Sequence, residues 1–456
     1  MMKKYLQSGA LLLVILLSLG ASAQGIYGDV NNDGEVNIAD VNAVVNVILG
    51  GEAPTPPPVD PTSDTIVATV FDTDVPNRHF YRIPAIVQPL DGRLLAIADD
   101  RHNSDADIGG NRGIDIVGKF SDDGGRTWGD TFIIADGTAA LGGFRNSHGD
   151  AAAVVDRETG KLLIMCASGK QGFQASTLQN PLLVGRYMSN DGGETWTGEE
   201  VTSDIYGIFA DFPEVNALFF SSGRICQSSR IKQGEYYRIY SAICGPASVG
   251  CLVLYSDDFG QTWQALGGPQ ARPTTSPFGD EAKIEELPNG NVLLSCRSKQ
   301  TATSGRLFNI YDYATGAWGE MAISNDPETG TYSEDCSCNG EVLIVPAIRT
   351  SDGRQVQLLL QSVPRGPSRQ RVSIYYKALL EPGDYDEPSD FSWGWQSYQV
   401  TENYSAYSTM IATTSGDLAF FVEDCNDNNS TSAYDLIFQR LSIETITDGQ
   451  YTKSEE

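Results

Sequence analysis

Five side chains able to bind or transform a polar ligand stand at nearly constant distances before turn glycines. Arg82 and Asp150 precede Gly92 and Gly160 by ten residues, while Glu214, Glu281 and Tyr407 precede Gly223, Gly290 and Gly416 by nine. A cation, three carboxylates and a phenol at equivalent places in a repeated unit would converge on one mouth of a closed ring of such units. Assembling them costs desolvation and mutual repulsion, a cost best explained by a polar ligand. A second donor set lies near the N-terminus. Asp29, Asn31, Asp33, Gly34, Glu35, Asn37 and Asp40 occupy positions 1, 3, 5, 6, 7, 9 and 12 of a calcium loop. Oxygen donors at alternating positions can wrap one hard cation, so Ca2+ is the expected occupant. With only three histidines, His79, His102 and His148, a His-based catalytic site or a His-rich zinc centre has little to draw on.

The elements that must position the first set repeat along the chain. A turn glycine followed by an apolar strand occurs six times: GRLLAIAD at Gly92, GKLLIMCA at Gly160, GRICQSSR at Gly223, GNVLLSCR at Gly290, GEVLIVPA at Gly340 and GDLAFFVE at Gly416. Each follows another apolar strand, which predicts six hairpins. An octad of the form Ser-x-Asp-x-Gly-x-Thr-Trp accompanies three of them, at Ser121–Trp128, Ser189–Trp196 and Ser256–Trp263. Its Asp and Ser hydrogen-bond a turn, its Gly takes a backbone conformation closed to other residues, and its Trp packs between strands. An all-β repeat of this length predicts a six-bladed β-propeller.

These octads resemble the Asp boxes of sialidases, and Tyr81-Arg82-Ile83-Pro84, 39 residues before the first box, resembles the motif that opens sialidase catalytic domains. The resemblance spans roughly residues 66–441 and implies an exo-α-sialidase acting on terminal sialic acid of glycans. It also implies an arginine triad for the sugar carboxylate: Arg82, Arg297 (16 residues after Glu281) and Arg369, with Arg371 as the alternative third member. Forked guanidinium donors suit a planar carboxylate, and the cluster would draw an anion to an otherwise acidic chain. Tyr407 corresponds to the family's nucleophile, with Glu281 accepting its proton. A phenol in that role avoids setting a carboxylate against the substrate's own. The acid/base falls in the loop from Arg101 to Gly109, where Asp107 fits and Asp105 is the alternative. By the same resemblance Arg101 and Asp150 contact sugar hydroxyls, and Glu214 is a weaker rim candidate. The implied mechanism is retaining and needs no catalytic metal. Transfer to another sugar would use the same residues. A non-catalytic propeller lectin would keep the boxes without needing the Arg, Asp, Glu and Tyr set.

Composition is consistent with this. Of 456 residues, 31 are Lys or Arg and 59 are Asp or Glu, a net charge of −28, which disfavours nucleic acid or anionic membranes as partners. Lys3 and Lys4, the apolar run Ala10–Leu19 and Ala21-Ser22-Ala23 read as a signal peptide over residues 1–23, so the mature chain is expected to be secreted or periplasmic. Residues 24–50, with helical apolar spacing after the calcium loop, resemble half of a dockerin and imply a protein partner. Residues 51–65, rich in proline, read as a linker, 66–445 as the propeller and 446–456 as a C-terminal tail. Most of the eight cysteines read as small apolar core residues, although Cys244 and Cys251 are close enough in sequence to clip a hairpin.

Overall fold

The computed structural model describes residues 65–110, 113–137, 147–274, 279–298, 305–334, 338–425 and 433–454. The chain divides into Met1–Asp64 and Thr65–Glu456. The signal sequence, the calcium loop from Asp29 to Asp40 and most of the linker therefore lie outside the described residues.

The second unit folds as six sheets, one per blade. Blade one runs outward from His79–Val87 through Leu94–His102 and Ile114–Ser121 to Phe132–Ala135. Blade two starts at Ser147–Val155, blade four at Gly279–Glu286, blade five at Val342–Arg349 and blade six at Ser405–Ala412. The ring is closed by Ile66–Phe71, which pairs antiparallel with Asp435–Leu441 in blade six, so the first strand of the unit sits in its last sheet. Apolar clusters between neighbouring blades form the core, as where Val70, Phe71, Ile86, Ala96, Phe421 and Phe438 join blades one and six.

The octads sit in the turns between the third and fourth strands of blades one to three. In the first, Ser121 Oγ accepts from Gly125 N at 2.8 Å, and Asp123 accepts from Thr127 N and Oγ1 at 2.9 and 2.6 Å. Asp191 and Asp258 make the same bonds to Thr195 and Thr262. Trp128 stacks edge-on against Phe438 of blade six with ring centroids 5.3 Å apart, so the turn also welds neighbouring blades.

Three expectations need correcting. Gly223 and Gly340 do not follow hairpin turns; they lie at the inner strands of blades three and five, whose turns are at Gly234 and Gly353, both with positive φ. In blade three the inner strand breaks between Phe220 and Cys226, and Gly223–Arg224 instead pairs parallel with Ala152–Ala153 of blade two. Residues 446–456 are not a free tail: Tyr451–Lys453 pairs with Ala347–Arg349 of blade five, and Tyr451 is buried in that blade's core. Cys244 and Cys251 do face each other in register, but Cys251 keeps a free thiol, so no clip forms. Cys166, Cys226 and Cys296 are likewise free and buried, as small core residues should be.

Candidate active site

The ring residues reach the channel through a repeated irregularity. The inner strands of blades one, two, four and six each slip register against their neighbours, between Arg82 and Ala85, Gly149 and Ala152, Gly279 and Ala282, and Ser405 and Ser408. A bulge leaves residues unpaired and re-aims their side chains. Asp150, Glu281 and Tyr407 lie inside these bulges and Arg82 on the edge of its own. Ile83 and Asp150 accept φ of 58° and 57° there, a left-handed conformation costly to a non-glycine residue.

Together they line a cavity of about 560 Å³ whose wall includes Arg82, Asp107, Asp150, Glu281, Arg297, Arg369 and Tyr407. Tyr407 Oη donates to Glu281 Oε2 at 2.6 Å. Arg297 Nη1 donates to Tyr407 Oη at 3.0 Å and also to Glu281 Oε2. Burial, then the Glu281 carboxylate, push the Tyr407 phenol well above its ordinary value, with Arg297 and Arg369 pulling the other way. The resting tyrosine is therefore protonated and hydrogen-bonded to its base. The Arg369 and Arg82 guanidinium carbons lie 5.5 and 6.0 Å from the Tyr407 ring centroid.

Each arginine is held differently. Arg82 is forked onto Glu423, Nε to Oε1 at 2.7 Å and Nη2 to Oε2 at 3.2 Å. Glu423 is wholly buried on the second strand of blade six and also accepts from the backbone of Ile83 and Tyr407, tying two ring positions to one carboxylate. Burial opposes its ionisation, but Arg82 outweighs that and lowers its pKa. Arg369 sits in a left-handed turn, φ 58°, anchored by Ser405 N donating to its carbonyl at 2.9 Å. Arg371 points away: its Nε and Nη2 donate to Gly366 O at 2.9 and 2.7 Å, and it lines a separate cavity with Arg365, Tyr332 and Gln399.

Across the cavity, Asp107 stands on the loop after Leu94–His102 with its side chain 84% exposed. Asp105 does not line the cavity; its backbone oxygen accepts from Arg101 Nη1 at 2.7 Å. Arg101, expected to touch substrate, lies one layer behind. It is 1% exposed, bonded to Asp99 Oδ2 at 2.9 Å and to Asp107 Oδ1 at 2.7 Å, because its buried charge needs partners more than it can reach the sugar. Partial loss of water against the cavity wall works against the Asp107 anion, but Arg101, with Arg82 and Arg369, holds its carboxyl below the usual range. Asp150 is the opposite case: burial first, then the neighbouring Asp99 and Asp107, raise it well above the ordinary carboxylate value. Asp99 itself is pushed up to about 6 by burial, against the pull of Arg101. Glu214 is an exposed turn residue away from the cavity, since its offset was counted from Gly223, which is not a hairpin turn.

Part of the cavity wall is apolar. Ile108, Ala167 and Leu182 form a small cluster with Phe173 and Phe219, whose rings meet edge-on at 5.0 Å. The Asp107 loop is braced there, because a side chain on Gly109 would fall 2.6 Å from Gly172 N. Glu423 and Asp99 escaped the sequence reading. Their signal was a carboxylate closing an otherwise apolar second strand, in GDLAFFVED and LLAIAD.

The BNR repeat-like domain family matches residues 92–419, and the dockerin type I domain matches residues 27–74. A sialidase of Micromonospora viridifaciens is 33% identical over 286 residues, 60% of this chain and 41% of that protein, so the chain spans less than half the length of this relative. A sialidase of Paraclostridium sordellii is 26% identical over 341 residues, 69% of this chain and 75% of that protein. Among solved structures, Hadza microbial sialidase Hz136 covers 83% of this chain and 69% of its own at 23% identity and a TM-score of 0.62. The intramolecular trans-sialidase from Ruminococcus gnavus covers 85% and 98% at 16% identity and a TM-score of 0.62. At these identities the structures speak for the propeller fold.

Proposed function

The chain belongs to the BNR repeat-like domain family, and from that premise we propose that it is a retaining exo-α-sialidase, a glycoside hydrolase releasing terminal sialic acid from glycans. The observation that carries this reading is the hydrogen-bonded Tyr407–Glu281–Arg297 group beside Arg82 and Arg369 in one cavity. Three guanidiniums suit one carboxylate, and the apolar wall near Phe173 and Phe219 suits an acyl substituent on the same sugar. The sialidases of Micromonospora viridifaciens and Paraclostridium sordellii support it.

In this mechanism the Tyr407 oxygen attacks the anomeric carbon as its proton passes to Glu281. Asp107 gives a proton to the departing glycosidic oxygen. The glycosyl–tyrosine bond is then broken by water, which yields a proton to Asp107, while Tyr407 recovers its own from Glu281. Arg297, bonded to both the phenol and its base, stabilises the phenolate as it forms. Asp150 contacts a sugar hydroxyl, and Arg101 holds Asp107 in place rather than touching substrate.

No helix among the described residues is long and apolar enough to cross a membrane. We assign the protein to the periplasm or the exterior on its signal-like N-terminus. Asp29, Asn31, Asp33, Glu35, Asn37 and Asp40 would hold calcium in the dockerin-like segment, an oxygen-only donor set of the kind that ion prefers, and the segment would dock a protein partner. Incubation with a fluorogenic sialoside, with neutral β-glycosides as controls, tests the activity. Release only from the neutral sugars would refute it, and product analysis with an added acceptor sugar separates hydrolysis from transfer.

A further inference from the structure

Two of the three histidines meet outside the cavity. His79 opens the inner strand of blade one, His102 closes the second strand, and the two are register partners across that ladder. Their rings stand edge to face with centroids 4.9 Å apart. Asp100 reaches both, with Oδ1 at 3.2 Å from His79 Nδ1 and Oδ2 at 4.0 Å from His102 Nε2. Among the described residues these three form a group in which one donor atom from each lies within 4.8 Å of the others. Asp115, paired with Asp100 on the next strand, places Oδ2 at 2.8 Å from His102 Nε2 and uses Oδ1 to accept from Gly137 N at 2.7 Å.

These spacings suit a metal. Donors about 2.0–2.2 Å from a tetrahedral zinc stand roughly 3.3 Å from one another, and the spacings of 2.8, 3.2 and 4.0 Å bracket that value. The side chains of Asp100 and Asp115 are 11% and 5% exposed, whereas His79 at 42% leaves an approach from solvent. Two carboxylates in a niche this dry favour a divalent counter-charge. Mixed imidazole and carboxylate donors select zinc and its transition-metal neighbours over calcium, which takes oxygen alone.

We propose that His79, Asp100, His102 and Asp115 form a zinc site at the root of the loop that carries Asp107. The metal fastens the start of one strand to the end of the next, five residues before Asp107, and takes no part in bond breaking. The test is calorimetric titration of the full-length protein with Zn2+ in saturating Ca2+, which fills any calcium loop first. One zinc should bind per chain. His79→Ala/His102→Ala should weaken that binding at least a hundredfold, and Asp115→Asn roughly tenfold, as expected for a ligand or its supporting carboxylate. Co2+ in place of zinc should give the visible absorption of a four-coordinate site in the wild type and not in the double variant. Undiminished zinc binding by the double variant, or none by the wild type, overturns the proposal. The titration does not depend on sialoside turnover, so its failure and that of the enzymatic reading are separable.

Discussion

Tyr407 and Asp107 present opposite problems, since one must lose a proton that its surroundings hold and the other must gain one that they repel. Tyr407→Phe removes only the hydroxyl bonded to Glu281 and Arg297. Turnover should drop roughly a thousandfold or more while the melting temperature stays within a few degrees; unchanged turnover would place the nucleophile elsewhere. Asp107, held ionised by Arg101, has a protonated fraction that declines tenfold per pH unit above its pKa. Turnover of sialosides with poor leaving groups should therefore fall as pH rises, along a limb that starts below the ordinary carboxylate range, whereas activated aryl sialosides should show no such limb. Asp107→Ala should cost roughly 10²–10⁴-fold on the former and little on the latter, and parallel losses would reassign the acid. Asp150 carries its own sign. Its folded pKa is raised, so any stability linked to its protonation is present at low pH and lost as pH rises. Asp150→Asn, neutral at every pH, should melt about 2–4 °C higher than wild type at pH 8 and with it at pH 4. An equal shift at both would mean that Asp150 is ionised in the fold.

At the scale of strands and loops, the bulges decide what the ring can do, and they explain what could and could not be read beforehand. Glycine-turn offsets found Arg82, Asp150, Glu281 and Tyr407 because blades one, two, four and six share one hairpin and one bulge. The same count misplaced Glu214, because a glycine before an apolar run looks alike whether it follows a turn or opens an inner strand, as Gly223 and Gly340 do. Arg101 was assigned to substrate because sequence shows that a charge is near, not which layer it occupies; Asp99, its buried partner, is what turns it inward. The brace between Gly109 and Gly172 is open to a direct trial. Gly109 has φ 98°, so Gly109→Ala both strains the backbone and pushes the two loops apart. It should lower turnover of poor-leaving-group sialosides roughly tenfold or more by displacing Asp107, with much less effect on aryl sialosides. Equal loss on both would mean the whole cavity had shifted.

For the whole molecule, the division between Asp64 and Thr65 predicts independence. Deletion of residues 24–65 should leave hydrolysis of a small sialoside within about twofold, because every cavity-lining residue lies beyond the division. Loss of that activity would put a needed element before Thr65. The closure of the ring has a consequence in time rather than in space. Among the described residues Ile66–Phe71 pairs with Asp435–Leu441, and Thr73 N bonds Asp435 Oδ1 at 2.9 Å across 362 residues of sequence. Contacts so distant along the chain make folding slow, because a long loop must close before they form. Blade six supplies both Tyr407 and Glu423 and cannot be completed until Asp435–Leu441 has been delivered. Chains cut short before Asp435 should therefore accumulate as species with an unfinished sixth blade and an open apolar edge, inactive and prone to aggregate, and degradation should favour them over the finished ring.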